Sequence, residues 1–142
     1  MNRSDMIAPC GLDCSLCRHA ITDEKHCRGC NGPDEDKIEF CRTGCGIVLC
    51  SKRRENGYRF CDECPDYPCE DVMEKEIRYS SGYPHRESPL TNIRMIREMG
   101  MEAFLSLEDS RWSCPSCGRL YSVHLKDCPH CGTEIHRDDD PA

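Results

Sequence analysis

The chemistry of this 142-residue sequence is concentrated in its cysteines. The chain has 15 of them, and ten form five C-x-x-C pairs. A C-x-x-C turn directs two sulfur atoms at one point, so that two such turns can surround a tetrahedral metal ion. The pattern is therefore typical of metal ligation, and an odd cysteine count also suits ligation better than a complete disulfide framework.

The clearest candidate site lies near the C-terminus, where ten residues separate two C-x-x-C pairs, each followed by glycine. Glycine after each pair tolerates the left-handed geometry that such a turn needs. Between the pairs, Tyr121, Val123 and Leu125 alternate with polar residues, which predicts a hairpin strand packed under Trp112. We expect a zinc ribbon with a closed, structural Zn²⁺ site, because four protein ligands leave no position for water. Its ligands would be Cys114, Cys117, Cys128 and Cys131, with His124, His130 and His136 as surface residues.

A second four-cysteine pattern occurs near the start of the chain. Cys14 and Cys17 are followed after nine residues by Cys27 and Cys30, which repeats almost the same spacing. Cys10 complicates this interpretation, because C-x3-C-x2-C is also the spacing at which radical S-adenosylmethionine enzymes hold an iron–sulfur cluster. The barrel of those enzymes needs about 200 residues or more, which this 142-residue chain cannot supply. A simple 4Fe-4S cluster remains the alternative to Zn²⁺ at these thiols.

Seven further thiols include Cys10 and extend to residue 69. With His19 or His26 they would complete two more four-ligand sites, although spacing alone does not assign the partners. A site with three protein ligands and one water would allow metal-dependent catalysis, and unmetallated C-x-x-C thiols would allow redox sensing. The remaining candidate ligands are Cys45, Cys50, Cys61, Cys64 and Cys69, with Cys41 as a more doubtful one.

Motifs of known enzyme classes are absent from the sequence. There is no phosphate-binding loop, dinucleotide fingerprint, nucleophile elbow or H-E-x-x-H motif. His85 and Glu87, followed by Cys114 and Cys117, imitate the layout of zinc deaminases. That layout lacks the proline before its first cysteine, and it would leave the last C-x-x-C pair without a role. The sequence therefore favours a protein without enzymatic activity.

Composition limits both the core and the partners of the chain. Hydrophobic residues make up 37% and the net charge is −7, so metal must replace much of an apolar core. Neither a signal peptide nor an apolar run of 18 residues is present, and we expect a cytoplasmic protein with reduced thiols and no membrane contact. The acidic charge disfavours nucleic acid. The basic stretch at 52–54 is interpreted as a solvated turn, with a contact to nucleic acid or to an acidic partner as the alternative. We expect a protein partner for the chain.

The elements that must position these thiols fall into zones. We expect a metal-binding module over 1–70, a helical segment over 71–111, the ribbon over 112–137 and an acidic tail over 138–142. A helix should begin at Pro89 with Ser88 as its cap and end before Gly100, with a second helix over 102–107 and a weaker one over 70–79. The predicted fold class is a small, irregular, metal-stabilised α+β protein.

These features together resemble a cysteine-rich family of bacteria and archaea catalogued as domain of unknown function 3795. The similarity rests on residues 10–17 (CGLDCSLC), 27–30 (CRGC) and 61–70 (CDECPDYPCE). Similar members continue with a helix like that at 92–100 and a ribbon like that at 112–118. The resemblance implies a metal-binding cytoplasmic prokaryotic protein without an established activity. Cys41 is an addition to the family pattern.

Overall fold

The structure, a computed structural model, describes residues 3–22 and 26–135, and within these ranges it is mostly helical. Short 3-10 turns at Arg3–Met6, Cys14–Leu16, Asp34–Asp36 and Cys61–Glu63 connect the helices. The α-helices are α1 (Arg18–Ile21), α2 (Glu39–Thr43), α3 (Ser51–Asn56), α4 (Glu70–Ser81), α5 (Pro89–Met99) and α6 (Met101–Arg111). None of these helices is long and apolar enough to cross a membrane. The expected acidic tail and His136 lie outside the described residues.

Helix α5 follows the signals that predict it. The Ser88 hydroxyl accepts a hydrogen bond from the Thr91 N–H at 3.1 Å, and Pro89 occupies the first turn. The helix ends at Gly100, whose φ of 89° favours glycine. Both α4 and α6 extend beyond the predicted ranges, α6 as far as Arg111. The three helices of the cysteine-free segment are therefore confirmed.

The β component of the predicted fold class is much smaller than expected. Within the described residues the structure has three isolated β-bridges and no longer strand; two of the bridges, Ser113 to Leu120 and Asp127 to Glu134, close the C-terminal C-x-x-C turns. The alternation predicted after residue 120 fails at Ser122, which is fully buried because its hydroxyl donates to the Leu16 carbonyl at 2.7 Å. The segment is an irregular loop shaped by that contact.

The interior consists of three clusters, each of which joins distant parts of the chain. The first contains Ala8, Cys10, Leu12, Cys45, Ile47, Val48 and Val72. The second contains Leu16, Trp112, Cys114, Tyr121, Val123, Cys128 and Ile135. The third contains Ile7, Phe60, Ile96 and Phe104. Leu16, from the N-terminal zone, thus packs among C-terminal residues, and Ile7 packs against Ile96 and Phe104 of the helical zone. The predicted zones therefore do not have separate hydrophobic cores.

Three buried carboxylates lie where α6 and the α4–α5 connection meet the N-terminal loop: Asp13, Glu87 and Glu108. Burial raises the pKa of Glu108 to about 7, and the negative charge of Asp13 adds to this, while the charges of Arg111 and Arg3 offset part of the effect. Because the folded state holds this proton more tightly than the unfolded state, the cost of ionising Glu108 grows as pH rises from about 4.5 to about 7.

We therefore expect the Glu108→Gln variant to match the wild type in stability near pH 4.5. Above pH 7 it should be more stable, by on the order of 3 kcal/mol. Denaturant unfolding of both metal-loaded proteins across this pH range measures the difference. Glu102→Gln, on the exposed face of the same helix, is the control. A difference between Glu108→Gln and the wild type that does not change with pH would contradict the assignment.

Candidate metal centres

The C-terminal tetrad, defined as Cys114, Cys117, Cys128 and Cys131, has the geometry of a mononuclear metal site. The four sulfur atoms all lie within 4.8 Å of one another. Sγ of Cys114 is 3.6 Å from that of Cys131, and Sγ of Cys117 is 3.7 Å from that of Cys128. A tetrahedron with Zn–S bonds of about 2.3 Å has S···S edges of about 3.8 Å. The tetrad could therefore accept Zn²⁺ with little rearrangement.

Two nearly identical turns position these sulfur atoms. In each turn the N–H of the first cysteine donates to a carbonyl five residues later, at 2.7 Å to Arg119 and 2.8 Å to Thr133. The glycine N–H donates back to the carbonyl of the first cysteine at 2.9 Å in both turns. Gly118 and Gly132 have φ values of 77° and 80°. The predicted role of the glycines is confirmed, because a side chain at such φ would be strained.

The tetrad is buried on one side only. Cys114 and Cys128 are 2% exposed and belong to the core, whereas Cys117 and Cys131 lie at the surface. Hydrogen bonding with the side chain and backbone of Thr133 lowers the pKa of the Cys131 thiol to about 6, which favours the thiolate that a metal requires. The site therefore has one edge in the core and one edge at the solvent. Even so, four protein ligands would complete the coordination of a tetrahedral ion and leave no position for water.

The histidines of this region are placed differently from one another. His130 is exposed, as predicted. The prediction that His124 is a surface residue is wrong: it is half-buried, because its Nδ1 accepts a hydrogen bond from the Arg18 N–H at 3.2 Å. His85 is buried in the core behind the tetrad, with ring centroids 5.1 Å from Tyr121 and 6.3 Å from Trp112. The tetrad is completed by its own second C-x-x-C pair rather than by His85, so the deaminase-like layout is not assembled.

Seven N-terminal cysteines line one cavity of about 340 Å³, here called the thiol cavity. They include Cys41, which the sequence marks as the most doubtful ligand. Residues of α1, α2 and α4 contribute to its walls, and the C-terminal loop adds Val123 and His124. The seven are Cys10, Cys14, Cys17, Cys27, Cys30, Cys41 and Cys45. The structure therefore combines the predicted second four-cysteine set with three of the unassigned thiols.

The residues between Cys10 and Cys14 anchor the first wall of the thiol cavity to α5. Gly11, at φ 102°, approaches the backbone of α5, and its carbonyl accepts from Asn92 Nδ2 at 2.9 Å. The Asp13 N–H donates to Glu87 Oε2 at 2.8 Å. The Asp13 carboxylate receives two hydrogen bonds from the Arg3 guanidinium, at 2.6 and 2.8 Å. These contacts hold both flanking cysteines in place.

Within the thiol cavity the sulfur atoms are more widely spaced than in the tetrad. Cys14 and Cys30 lie 3.9 Å apart, but in the described part of the chain only the tetrad brings three or more possible ligand atoms within 4.8 Å of one another. Burial raises the pKa of Cys17 to about 11 and that of Cys41 to about 12. Half-buried thiols of this kind ionise when a cation offsets their desolvation, which a bound metal ion would do.

Cys30 and two lysines form the charged wall of the thiol cavity. A hydrogen bond with Cys14, followed by the positive charges of Lys37 and Lys75, lowers the pKa of Cys30 to about 7. Both lysines are buried and line the cavity. Neither lysine belongs to a motif, so the sequence analysis did not identify them. The one local signal is the position of Asp34 three residues before Lys37, with which it forms an ion pair of 2.7 Å.

Four N-terminal cysteines do not line the cavity and occupy helix ends instead. Cys50 precedes α3, Cys69 precedes α4, and Cys61 and Cys64 flank the 3-10 turn between those helices. Burial raises the pKa of Cys61 to about 12, and the neighbouring sulfur atoms of Cys69, Cys50 and Cys64 raise it further. These four thiols are here called the helix-end group, and within the described residues no three of their sulfur atoms lie within 4.8 Å of one another.

Comparison with known proteins adds one finding. Residues 6–74 match the sequence model of a family described as "Protein of unknown function (DUF3795)". Neither the curated proteins nor the solved structures include a significant match. The matched segment contains the thiol cavity cysteines and the helix-end group, whereas α5, α6 and the tetrad lie beyond it.

Proposed function

We propose that this chain, whose residues 6–74 match the DUF3795 family model, is a zinc-binding protein whose metal ions are structural. Its role would be to present a rigid surface to a protein partner. The tetrad carries this proposal, because its S···S distances of 3.6 and 3.7 Å are those of sulfur atoms around one Zn²⁺. With four protein ligands such an ion stabilises a fold rather than activating water.

A second zinc site would lie at the helix-end group. Its sulfur atoms would have to approach one another on binding, because only the tetrad among the described residues already brings three or more ligand atoms within 4.8 Å. Helix N-termini and 3-10 turns fix the backbone of all four cysteines, and each thiol of the group acts electrostatically on Cys61. A Zn²⁺ ion there would tie α3 to α4. Together with the thiol cavity, this arrangement would account for the full set of N-terminal cysteines, which exceeds what a buried core requires.

The contacts of the basic residues at 52–54 favour a protein partner over nucleic acid. Lys52 pairs with Asp66 at 2.5 Å, and Arg53 donates to the Ile47 carbonyl at 3.1 Å. The basic stretch is thus partly engaged within the fold, which leaves less charge for nucleic acid. Exposed apolar side chains are available on α2 and α4, where Phe40 is 46% and Ile77 is 63% exposed. Apolar side chains of this kind suit a protein contact.

The thiol cavity supports a second candidate function, an iron–sulfur protein for electron transfer or redox sensing. Seven thiols around one cavity could hold a 4Fe-4S cluster through four of them. Buried Lys37 and Lys75 would offset the negative charge of such a cluster. The wide spacing of the cavity sulfur atoms is compatible with a cluster, since its thiolates bind different irons.

Anaerobic purification followed by elemental analysis and an absorption spectrum of the same sample tests these proposals. A zinc-binding protein contains zinc well above one ion per chain and has no visible absorption. Iron with acid-labile sulfide, beside a single zinc ion, would instead establish the second candidate. A chain purified without bound metal that folds normally would contradict both.

A further inference from the structure

We infer that Cys14 and Cys30 form a reversible disulfide when the protein meets a hydroperoxide, so that the thiol cavity carries an oxidant-responsive modification site. Their sulfur atoms lie 3.9 Å apart, and the Cys14 thiol donates a hydrogen bond to the Cys30 sulfur. Each cysteine belongs to a C-x-x-C motif, but this disulfide would join the two motifs rather than close either of them. The modification goes beyond the proposed structural zinc, because it needs two sulfur atoms and no metal ion.

The backbone next to Cys30 packs directly against Cys14. Gly29 has a φ of 84°, and a methyl group at this position would lie 3.0 Å from Cβ of Cys14 and 3.5 Å from its sulfur. The Cys30 N–H also forms a hydrogen bond with the Cys14 sulfur. A disulfide requires such a close approach of two backbones. Rotation of the two side chains would then bring the sulfur atoms to the bonding distance of about 2 Å.

The residue before Cys14 and the residue after Cys30 are both fixed by side-chain hydrogen bonds. The Asp13 carboxylate accepts from the Arg3 guanidinium at 2.6 and 2.8 Å. Asn31 Nδ2 donates to two backbone carbonyls near the N-terminus, both at 2.9 Å. The fold therefore holds the two cysteines next to each other before any oxidant arrives.

Among residues 3–22 and 26–135, the Cys14–Cys30 pair has no third ligand close enough to share a metal ion. Only the tetrad brings three or more possible ligand atoms within 4.8 Å of one another in this part of the chain. Two sulfur atoms do not complete a tetrahedral zinc site, whereas two are enough for a disulfide. Both thiols are half-buried and line a cavity of about 340 Å³, which has room for a small oxidant such as hydrogen peroxide.

The reaction would consume one molecule of hydrogen peroxide for each disulfide. One sulfur, as the thiolate, attacks a peroxide oxygen; the O–O bond breaks, hydroxide leaves and the sulfur becomes a sulfenic acid. The second sulfur attacks the sulfenic sulfur, and hydroxide leaves as the S–S bond forms. The two sulfur atoms lose two electrons, which the peroxide gains, and the two thiol protons convert the hydroxides into two water molecules. A dithiol reductant reverses the modification by thiol–disulfide exchange.

Disulfide mapping of the full-length chain tests the inference. The purified protein is treated with hydrogen peroxide, alkylated, digested with trypsin and analysed by mass spectrometry. Trypsin leaves Cys30 as the single cysteine of residues 29–37 and places Cys14 in residues 4–18. We expect these two peptides to be linked through Cys14 and to be released by dithiothreitol. A link within either C-x-x-C motif would overturn the inference, and so would a Cys14 that remains an alkylated thiol.

Two serine variants separate the pair from the motifs to which its members belong. Cys30→Ser should abolish the link to residues 4–18. The matched control is Cys27→Ser, which removes the other cysteine of the same motif and should keep the link at the yield of the wild type. Equal loss of the link from both variants would overturn the inference. The zinc content of the untreated protein is a separate measurement: a chain purified without zinc would contradict the proposed function, and the Cys14–Cys30 link would still be expected.

Discussion

Replacing Cys114 with serine is expected to release the metal ion of the tetrad and to unfold the C-terminal segment. A structural zinc ion contributes about 10–16 kcal/mol to the folding of small zinc modules, and the hydrophobic cluster around Trp112 includes Cys114 and Cys128 themselves. Trp112, the single tryptophan, is fully buried beside Cys114 and reports the change directly. A red shift of its fluorescence, measured with the zinc content, tests the expectation.

The effect should extend to the thiol cavity. The Leu16 carbonyl accepts hydrogen bonds from the Val123 N–H at 3.0 Å and from the Ser122 hydroxyl at 2.7 Å. Val123 also lines the cavity. Unfolding of the C-terminal segment would thus open one wall of the cavity, and the Cys114 variant should bind its N-terminal metal ions less tightly.

Ser116→Ala is the matched control for this substitution. Ser116 is exposed and lies between the two cysteines of the first turn, so its loss should change neither the fluorescence nor the zinc content. Chelation of the wild-type protein at neutral pH should reproduce and exceed the effect of the Cys114 substitution. Native Trp112 fluorescence in the metal-free Cys114 variant would contradict a structural role for the tetrad.

Gly11→Ala is expected to destabilise the protein by about 2–5 kcal/mol, because it combines left-handed strain with a steric clash. A methyl group at this position would lie 2.4 Å from the Pro89 carbonyl oxygen and 2.8 Å from the Ile93 side chain. The Pro89 carbonyl belongs to the capped first turn of α5, and moving it would cost the hydrogen bonds of that turn. Displacing the loop would break the Asn92 contact and shift Cys10 and Cys14. The denaturation midpoint and the N-terminal metal content should both fall.

Gly57→Ala separates conformational strain from the clash. Gly57 ends α3 with φ 66°, and no atom lies within 4 Å of the position its methyl group would occupy. This variant should therefore lose only about 1–2 kcal/mol, the cost of the left-handed conformation. Equal losses from the two glycine variants would show that close packing of Gly11 on α5 is not important.

Locally encoded features of this chain could be predicted from sequence, and features set by distant contacts could not. Ser88, Pro89 and Gly100 mark the ends of α5 through their own backbone preferences. The tetrad was predictable because each turn is closed by hydrogen bonds within six residues. The strand predicted after residue 120 does not form, because Ser122 is buried by a contact with Leu16, which lies 106 residues away in sequence.

The grouping of the N-terminal thiols depends on contacts of the same long-range kind. The loop carrying Cys10 and Cys14 is fixed by Glu87 and Asn92, which lie 74 and 81 residues from their partners. No local spacing contains this information. Cys41 illustrates the result, because its spacing marks it as a doubtful ligand, yet it lines the cavity with six other cysteines.

The one-sided burial of the tetrad has a consequence for how fast its metal ion exchanges. A competing chelator can approach the ion along the exposed edge formed by Cys117 and Cys131, while Cys114 and Cys128 remain bound in the core. Exchange there proceeds by direct attack, with a rate that rises with chelator concentration. In the thiol cavity Cys10 and Cys45 are buried and the other five thiols are half-buried, so a chelator would reach an ion bound there less directly. Metal bound at the two places would then exchange on different timescales.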